Sequence, residues 1–217
     1  MTAQLNLKEI ERRAFRSTYE DGLLDIELGL VVICMSIFVY RPPTGYSPAN
    51  IVLALLAMLL ANGLFWVGKK FITLPRMGRV RFGAARKRKK ATLVIILSLV
   101  VLIQVGLLGL TVLGWLNPEV GAKVNDFFKA RDLMDLAVAV IGSLFVGPSM
   151  ILVAYFTDFP RGYYIAVMMA LAVFLLIYLN QPIYAIILGS LIVLPGLVLF
   201  VRFVKTHPLH GEGVPDD

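Results

Sequence analysis

The chain has 217 residues, 59% of them hydrophobic and only 16% charged, with a formal charge of +7 and a mean hydropathy of +0.81. Water-soluble domains carry about a quarter charged residues and somewhat under half apolar ones, so this balance excludes an ordinary cytosolic enzyme and implies an integral membrane protein. At about 20 apolar residues per helical crossing, a chain of this length holds six or seven spans joined by short loops.

Residues 1–19 read as a cytosolic amphipathic segment. Asn6-Leu-Lys-Glu9 has the form of a capping box, and Leu7, Ile10 and Ala14 then share a face, which predicts a short interfacial helix near 7–16. The stretch is too charged for a cleavable signal peptide, so the first apolar run is expected to stay in the mature protein. Ser17-Thr-Tyr-Glu20 is a second capping-box pattern and predicts that the first long helix begins one to two turns before Asp25.

Six apolar runs come next: Leu23–Tyr40, Pro48–Val67, Ala91–Leu113, Leu133–Phe156, Gly162–Leu179 and Ile183–Val201. None alternates as a barrel strand does, so the predicted architecture is an all-α bundle of six transmembrane helices over residues 20–203, with a polar cytosolic tail at 204–217. Between spans three and four, Asn117-Pro118-Glu119 and the spacing of Val120, Val124, Phe127 and Phe128 predict a second interfacial helix near 118–130. Tyr40, Tyr46, Trp66, Trp115, Tyr163, Tyr164 and Tyr178 fall near span ends and read as an aromatic belt. The lone cysteine, Cys34, reads as a small hydrophobe of the first span.

Orientation is read from the cations. With the N terminus inside, 17 of the 21 Lys and Arg residues fall on the cytosolic side and four, Arg41, Lys123, Lys129 and Arg131, fall outside. This asymmetry predicts that both termini are cytosolic, and the expected location is a prokaryotic cytoplasmic membrane. Ten of the cations sit in a predicted basic loop at 69–90, with Arg79-Val80-Arg81-Phe82 as a short extended piece. Arg76, Arg79, Arg81, Arg86, Lys87, Arg88, Lys89 and Lys90 are the candidates there for contact with anionic lipid headgroups or an acidic partner. No folded reading module surrounds them, so nucleic acid is not an expected partner.

Three short matches recur in order in the two halves: Leu23-Leu-Asp25 with Leu133-Met-Asp135, Pro43-Thr-Gly-Tyr46 with Pro160-Arg-Gly-Tyr163, and Ile95-Ile-Leu-Ser-Leu99 with Ile186-Ile-Leu-Gly-Ser-Leu191. Together they suggest a 3+3 inverted repeat, a plan shared by many transporters; chance similarity among Leu-rich helices is the competing account.

The polar residues least expected in lipid cluster at the start of span one, Glu20-Asp21-Gly22-Leu-Leu-Asp25-Ile-Glu27. A crossing that begins at Leu23 brings Asp25 and Glu27 to the headgroup boundary, where a carboxylate needs a cation, a wet cavity or a proton. Asn62 is expected at a similar depth on span two, and an Arg or Lys from the basic loop is expected to reach the cluster. Gln104 in span three is read as an interhelical hydrogen bonder, and Asp135 as the repeat counterpart of Asp25 with Arg131 one turn away. Asp25, Glu27, Asn62, Gln104 and Asp135 are thus the transport or ion-binding candidates. The alternative makes the acids helix-start residues that favour the dipole and pair with arginines. Gly147-Pro148 and Pro195-Gly196 predict kinks in spans four and six.

Only His207 and His210 occur, both after span six, so no metal, haem or serine–histidine site is expected, and no nucleotide-binding glycine motif is present. An enzyme is not expected, although Asp25, Glu27 and Asp158 are conceivable carboxylates on the inner side. Two functions remain open. One is a small secondary transporter or channel-like protein with an acidic inner-leaflet site; the other is a non-catalytic membrane subunit or scaffold that binds lipid and partner proteins. Rows such as Ala57-x-x-x-Ala61 and Ala166-x-x-x-Ala170 permit close helix contacts, within one chain or in a homo-oligomer or larger complex.

Overall fold

The computed structural model describes residues 16–40, 48–77, 83–116 and 131–208. They form six long helices and, among the described residues, no strand: α1 (Leu23–Val39), α2 (Pro48–Val67), α3 (Ala84–Leu116), α4 (Arg131–Phe156), α5 (Arg161–Leu179) and α6 (Pro182–Thr206). The predicted interfacial helix at 118–130, the extended piece at 79–82 and all but the last residue of the predicted helix at 7–16 lie outside the described residues.

Five rods are long and apolar enough to cross a membrane: Val52–Met77, Arg86–Gly106, Asp135–Phe156, Arg161–Leu179 and Pro182–Thr206. The protein is a multi-pass membrane protein on that ground. The sixth helix, α1, has 17 residues and is about 25 Å long, slightly less than a typical hydrocarbon thickness.

Three boundaries differ from the sequence expectation. The second rod does not end at Val67 but runs on through a π-helical segment, Gly68–Thr73, to Leu74–Met77. Helix α3 begins at Ala84, so Arg86 to Lys90 are its first turns; much of the expected basic loop at 69–90 is helical. The Ser17 capping box starts no long helix either. Tyr19 and Glu20 donate to the carbonyls of Arg16 and Ser17 in a tight turn, and α1 starts afresh at Leu23 after Gly22, whose φ of +73° breaks the chain direction. Pro148 and Pro195 lie inside α4 and α6, which continue through them.

Close packing runs through small residues. Helices α1 and α6 cross antiparallel, with Gly22 against Gly196 and Gly29 against Gly189. Each pair is seven residues apart on its own helix, almost two full turns, so the glycines fall on one stripe. A Cβ on Gly189 would stand 2.8 Å from the Gly29 carbonyl oxygen, and one on Gly29 would stand 2.8 Å from the Gly189 carbonyl oxygen. In lipid, where apolar burial drives little association, such backbone approach is a main source of helix contact. Helices α4 and α5 pack antiparallel in a similar way, Gly147 against Ala170 and Ala154 against Gly162. On α2 the buried alanines are Ala54 and Ala61, not the expected Ala57 and Ala61.

Helix α5 is central. It supplies Ile165, Ala166, Met169, Ala172 and Leu176 to the core, against Val32 of α1, Met150 of α4 and Ala185, Leu188 and Ile192 of α6. Helix α2 leans on α1, and α3 leans on α4, leaving large apolar side chains such as Leu60, Trp66 and Leu102 on the outer surface. A 3+3 exchange would match α1–α6 with α3–α4. The first pair is tightly interlocked and the second touches lightly, so the two halves pack unequally.

The glycine crossing makes a signed prediction. Gly189→Ala should lower stability by about 1–3 kcal/mol, because the added methyl meets backbone. Gly106→Ala, where nothing lies within 4 Å of the new methyl, should leave stability unchanged or raise it by up to about 1 kcal/mol. Thermal unfolding in detergent compares the two.

Candidate functional site

The site grows from the break at Gly22. A Cβ at this position would lie 2.3 Å from the Gly196 carbonyl oxygen, and the left-handed φ disfavours any other residue as well. The turn places Asp21 under the start of α1, where its Oδ1 accepts the Leu23 amide at 3.3 Å. Its Oδ2 accepts from Lys69 Nζ at 2.8 Å and Thr73 Oγ1 at 2.6 Å. Asp21 has no exposed surface at all, so a charged partner and a full set of donors are what make its burial tolerable.

Lys69 and Thr73 both lie on the π-helical segment, whose closing bond runs from the Leu74 amide to the Lys69 carbonyl. A π turn carries an extra residue and rotates the distal part of a rod relative to the part before it. Lys69 also donates to the Thr18 carbonyl, with its ammonium 5.8 Å from the Tyr19 ring centre and 5.9 Å from that of Phe65.

One turn into α1, Asp25 is 3% exposed and pairs with Arg161, the first residue of α5. The Nε and Nη2 groups stand 3.0 and 2.9 Å from Oδ2, and Nη2 donates to the Tyr19 carbonyl at 2.6 Å. A cation at a helix N-terminus opposes the macrodipole, and the Asp25 carboxylate offsets that penalty. The carbonyls of Thr18 and Tyr19 are therefore held by cations from two different helices. The Tyr19 ring lies 5.7 Å from that of buried Phe159, over which the Arg161 guanidinium also sits. Burial pushes the Tyr19 phenol above its ordinary range, with Arg86 acting the other way; it stays protonated at neutral pH.

A third ion pair joins Arg86 of α3 to Asp158. Helix α4 ends in a Schellman motif: the Phe159 amide bonds the Ala154 carbonyl, and the Asp158 amide bonds that of Tyr155. Asp158 fills the left-handed position, φ +51°, that glycine more often takes; aspartate tolerates it better than most residues. The three pairs, together with the Gly22–Gly196 contact, tie all six helices at one end of the bundle.

Of the five ion-site candidates, only Asp25 is an anchored member of this cluster. Glu27 is half-buried on α1. Asn62 turns back on its own helix, where its Nδ2 donates to the Met58 carbonyl at 2.9 Å. Gln104 is exposed on α3. Asp135 is half-buried near the start of α4, about 30 Å along that helix from Phe156 and hence at the opposite end of the bundle. Among the basic candidates, Arg76 bonds back to the Ile72 carbonyl, Arg86 is paired, Lys87, Arg88, Lys89 and Lys90 are exposed on the first turns of α3, and Arg79 and Arg81 lie outside the described residues. Asp21 lies in the acidic stretch that the sequence marks, and Lys69 is the cation of the 69–90 segment that reaches it; neither they nor Thr73 and Arg161 are picked out individually as site residues. The Asp21-Gly22 dipeptide is the available signal, since it marks a turn and not a helix interior.

Two cavities open at this end. One, of about 410 Å³, lies between α3, the end of α4 and the Thr18–Tyr19 turn; the other, of about 460 Å³, is bordered by Glu20, Arg161, Arg202 and His207.

Truncating either member of a buried pair leaves an uncompensated charge. Asp21→Ala and Lys69→Ala should each lower stability by about 3–5 kcal/mol, and the double variant by clearly less than the sum of the two. Unfolding of the three variants in detergent measures the coupling; strict additivity would show that the pair is not what holds α2 to the start of α1.

The chain matches no protein-family model, no curated protein and no solved structure.

Proposed function

We propose that the protein is a non-catalytic membrane subunit or scaffold, with both termini in the cytosol, that engages anionic lipid headgroups and partner proteins through its basic end and uncovered helix faces. One observation carries this reading: the buried acids at the start of α1 are each matched to a cation from another helix, Asp21 to Lys69 and Asp25 to Arg161. Carboxylates engaged in this way fasten helices. A transported ion would have to displace an intramolecular partner at each turnover.

The second reading, a small transporter or channel-like protein, draws on the Asp25–Arg161 pair. Arg161 is a third exposed and borders the cavity of about 460 Å³, so an ion or proton entering there would reach Asp25 by displacing that guanidinium.

Flux in liposomes separates the readings. The scaffold reading expects wild-type protein to show no proton or cation flux above protein-free vesicles, with Asp25→Asn changing melting temperature and Glu27→Gln changing neither property. Wild-type flux abolished by Asp25→Asn would establish transport instead.

Orientation is tested separately with Cys34→Ser as the background, since Cys34 is the sole cysteine. Lys89→Cys and Lys205→Cys should react with a membrane-impermeant maleimide only after cells are permeabilised, and Gln181→Cys should react in intact cells. The reverse pattern would invert the topology.

A further inference from the structure

We propose that the cavity between α3, the end of α4 and the Thr18–Tyr19 turn is a built site for one anionic phospholipid, held by its phosphate. The proposal rests on the lipid-binding reading above and narrows it from a diffuse basic surface to one seat.

The cavity, about 410 Å³ in volume, has a wall graded from charged to apolar. Along α3, Arg86, Lys90 and Leu93 are spaced at intervals of four and three residues, so they lie on one stripe, with Lys87 beside Lys90. The stripe therefore passes from two cationic positions to a buried leucine in the direction in which α3 enters the apolar region. The rest of the lining comes from Thr18 and Tyr19 of the turn and from Phe156 and Thr157 at the end of α4, with Phe156 adding to the apolar wall.

Charge at the mouth is unbalanced in the required sense. Asp158 neutralises Arg86 and fixes it against the end of α4, which leaves Lys87 and Lys90 as a net excess of positive charge. Both are exposed and border the cavity, so a phosphodiester there gains two ammonium partners without breaking an internal pair. The apolar half decides between sources of phosphate. A free phosphate or a soluble phosphate ester would leave the half-buried Phe156 and the apolar wall that it continues from Leu93 without a partner, whereas a phospholipid lays its glycerol and first acyl carbons against that wall. The adjacent cations Arg88 and Lys89 carry the same charge but do not border the cavity, and they supply the control.

Full-length protein in mild detergent is exchanged with phosphatidylglycerol or with phosphatidylcholine of the same chains, and retained lipid per chain is quantified by mass spectrometry alongside titrated affinity. Wild type should retain about one phosphatidylglycerol and prefer it over phosphatidylcholine. Lys87→Gln/Lys90→Gln should weaken that affinity by about thirtyfold, from roughly a factor of five or six per lost charge. Arg88→Gln/Lys89→Gln should change it by less than threefold, with equal melting temperatures for both double variants in lipid-free detergent. Equal losses in both double variants would overturn the site while leaving general attraction to anionic lipid intact. No preference for phosphatidylglycerol in wild type would overturn the lipid-binding reading itself. Glycerophosphoglycerol, the same headgroup without chains, should not compete at millimolar concentration; competition equal to the lipid's would replace the phospholipid with a soluble phosphate ester.

Discussion

The arrangement depends on a buried carboxylate beside a residue that must be glycine. Gly22 lies so close to the α6 backbone that no side chain fits, and its left-handed turn directs Asp21 inward. An isolated carboxylate in that position would be strongly disfavoured, so it has to be met by charge and by hydrogen bonds together. Lys69, Thr73 and the Leu23 amide meet it. Because Lys69 and Thr73 come from the second rod and the glycine contact comes from the sixth helix, satisfying one side chain fixes the relative placement of three helices.

The solvent explains why the ties collect at one end. In the apolar part of a bilayer, lipid chains solvate leucine as well as protein does, and helices gain little by hiding it. Contact there comes from backbone approach, which the seven-residue glycine spacing of α1 and α6 provides. Near the headgroups, water and lipid phosphates compete for polar groups, and only pairs that are buried and multiply bonded persist. Asp21 and Asp25 meet that condition. Helices α2 and α3 lack both devices over most of their length, which is why their apolar faces stay uncovered by this chain.

Sequence and structure agree where the physics is one-dimensional. The length and apolarity of the spans are set by bilayer thickness, and five of the six expected runs are rods of sufficient length. What periodicity hides is any feature that reads locally as one thing and acts as another. Ser17 to Glu20 matches a capping box, yet the Asp-Gly step after it ends the turn and restarts the helix. The run from Lys69 to Met77 reads as loop because of its charge and Pro75, yet it continues the helix, with Lys69 neutralised by a partner 48 residues away in sequence. In the sequence Arg161 contributes to sidedness alone, since nothing within α5 shows that Asp25 lies beside it. Such pairings are long-range, and no local pattern encodes them.

Internal pairing also alters what the net charge means. Lys69, Arg86 and Arg161 are matched by Asp21, Asp158 and Asp25, so these six residues contribute nothing to the +7 of the chain. Among the described residues, exposed cations carry most of the remaining positive charge, and Lys87 to Lys90 form their densest stretch. Those cations are held on the first turns of a helix, at an end where the dipole makes positive charge unfavourable. Cations concentrated against both one another and a helix dipole stabilise the chain poorly by themselves. They become favourable when an anionic surface lies within a Debye length, which is the physical ground of the proposed contact with anionic lipid.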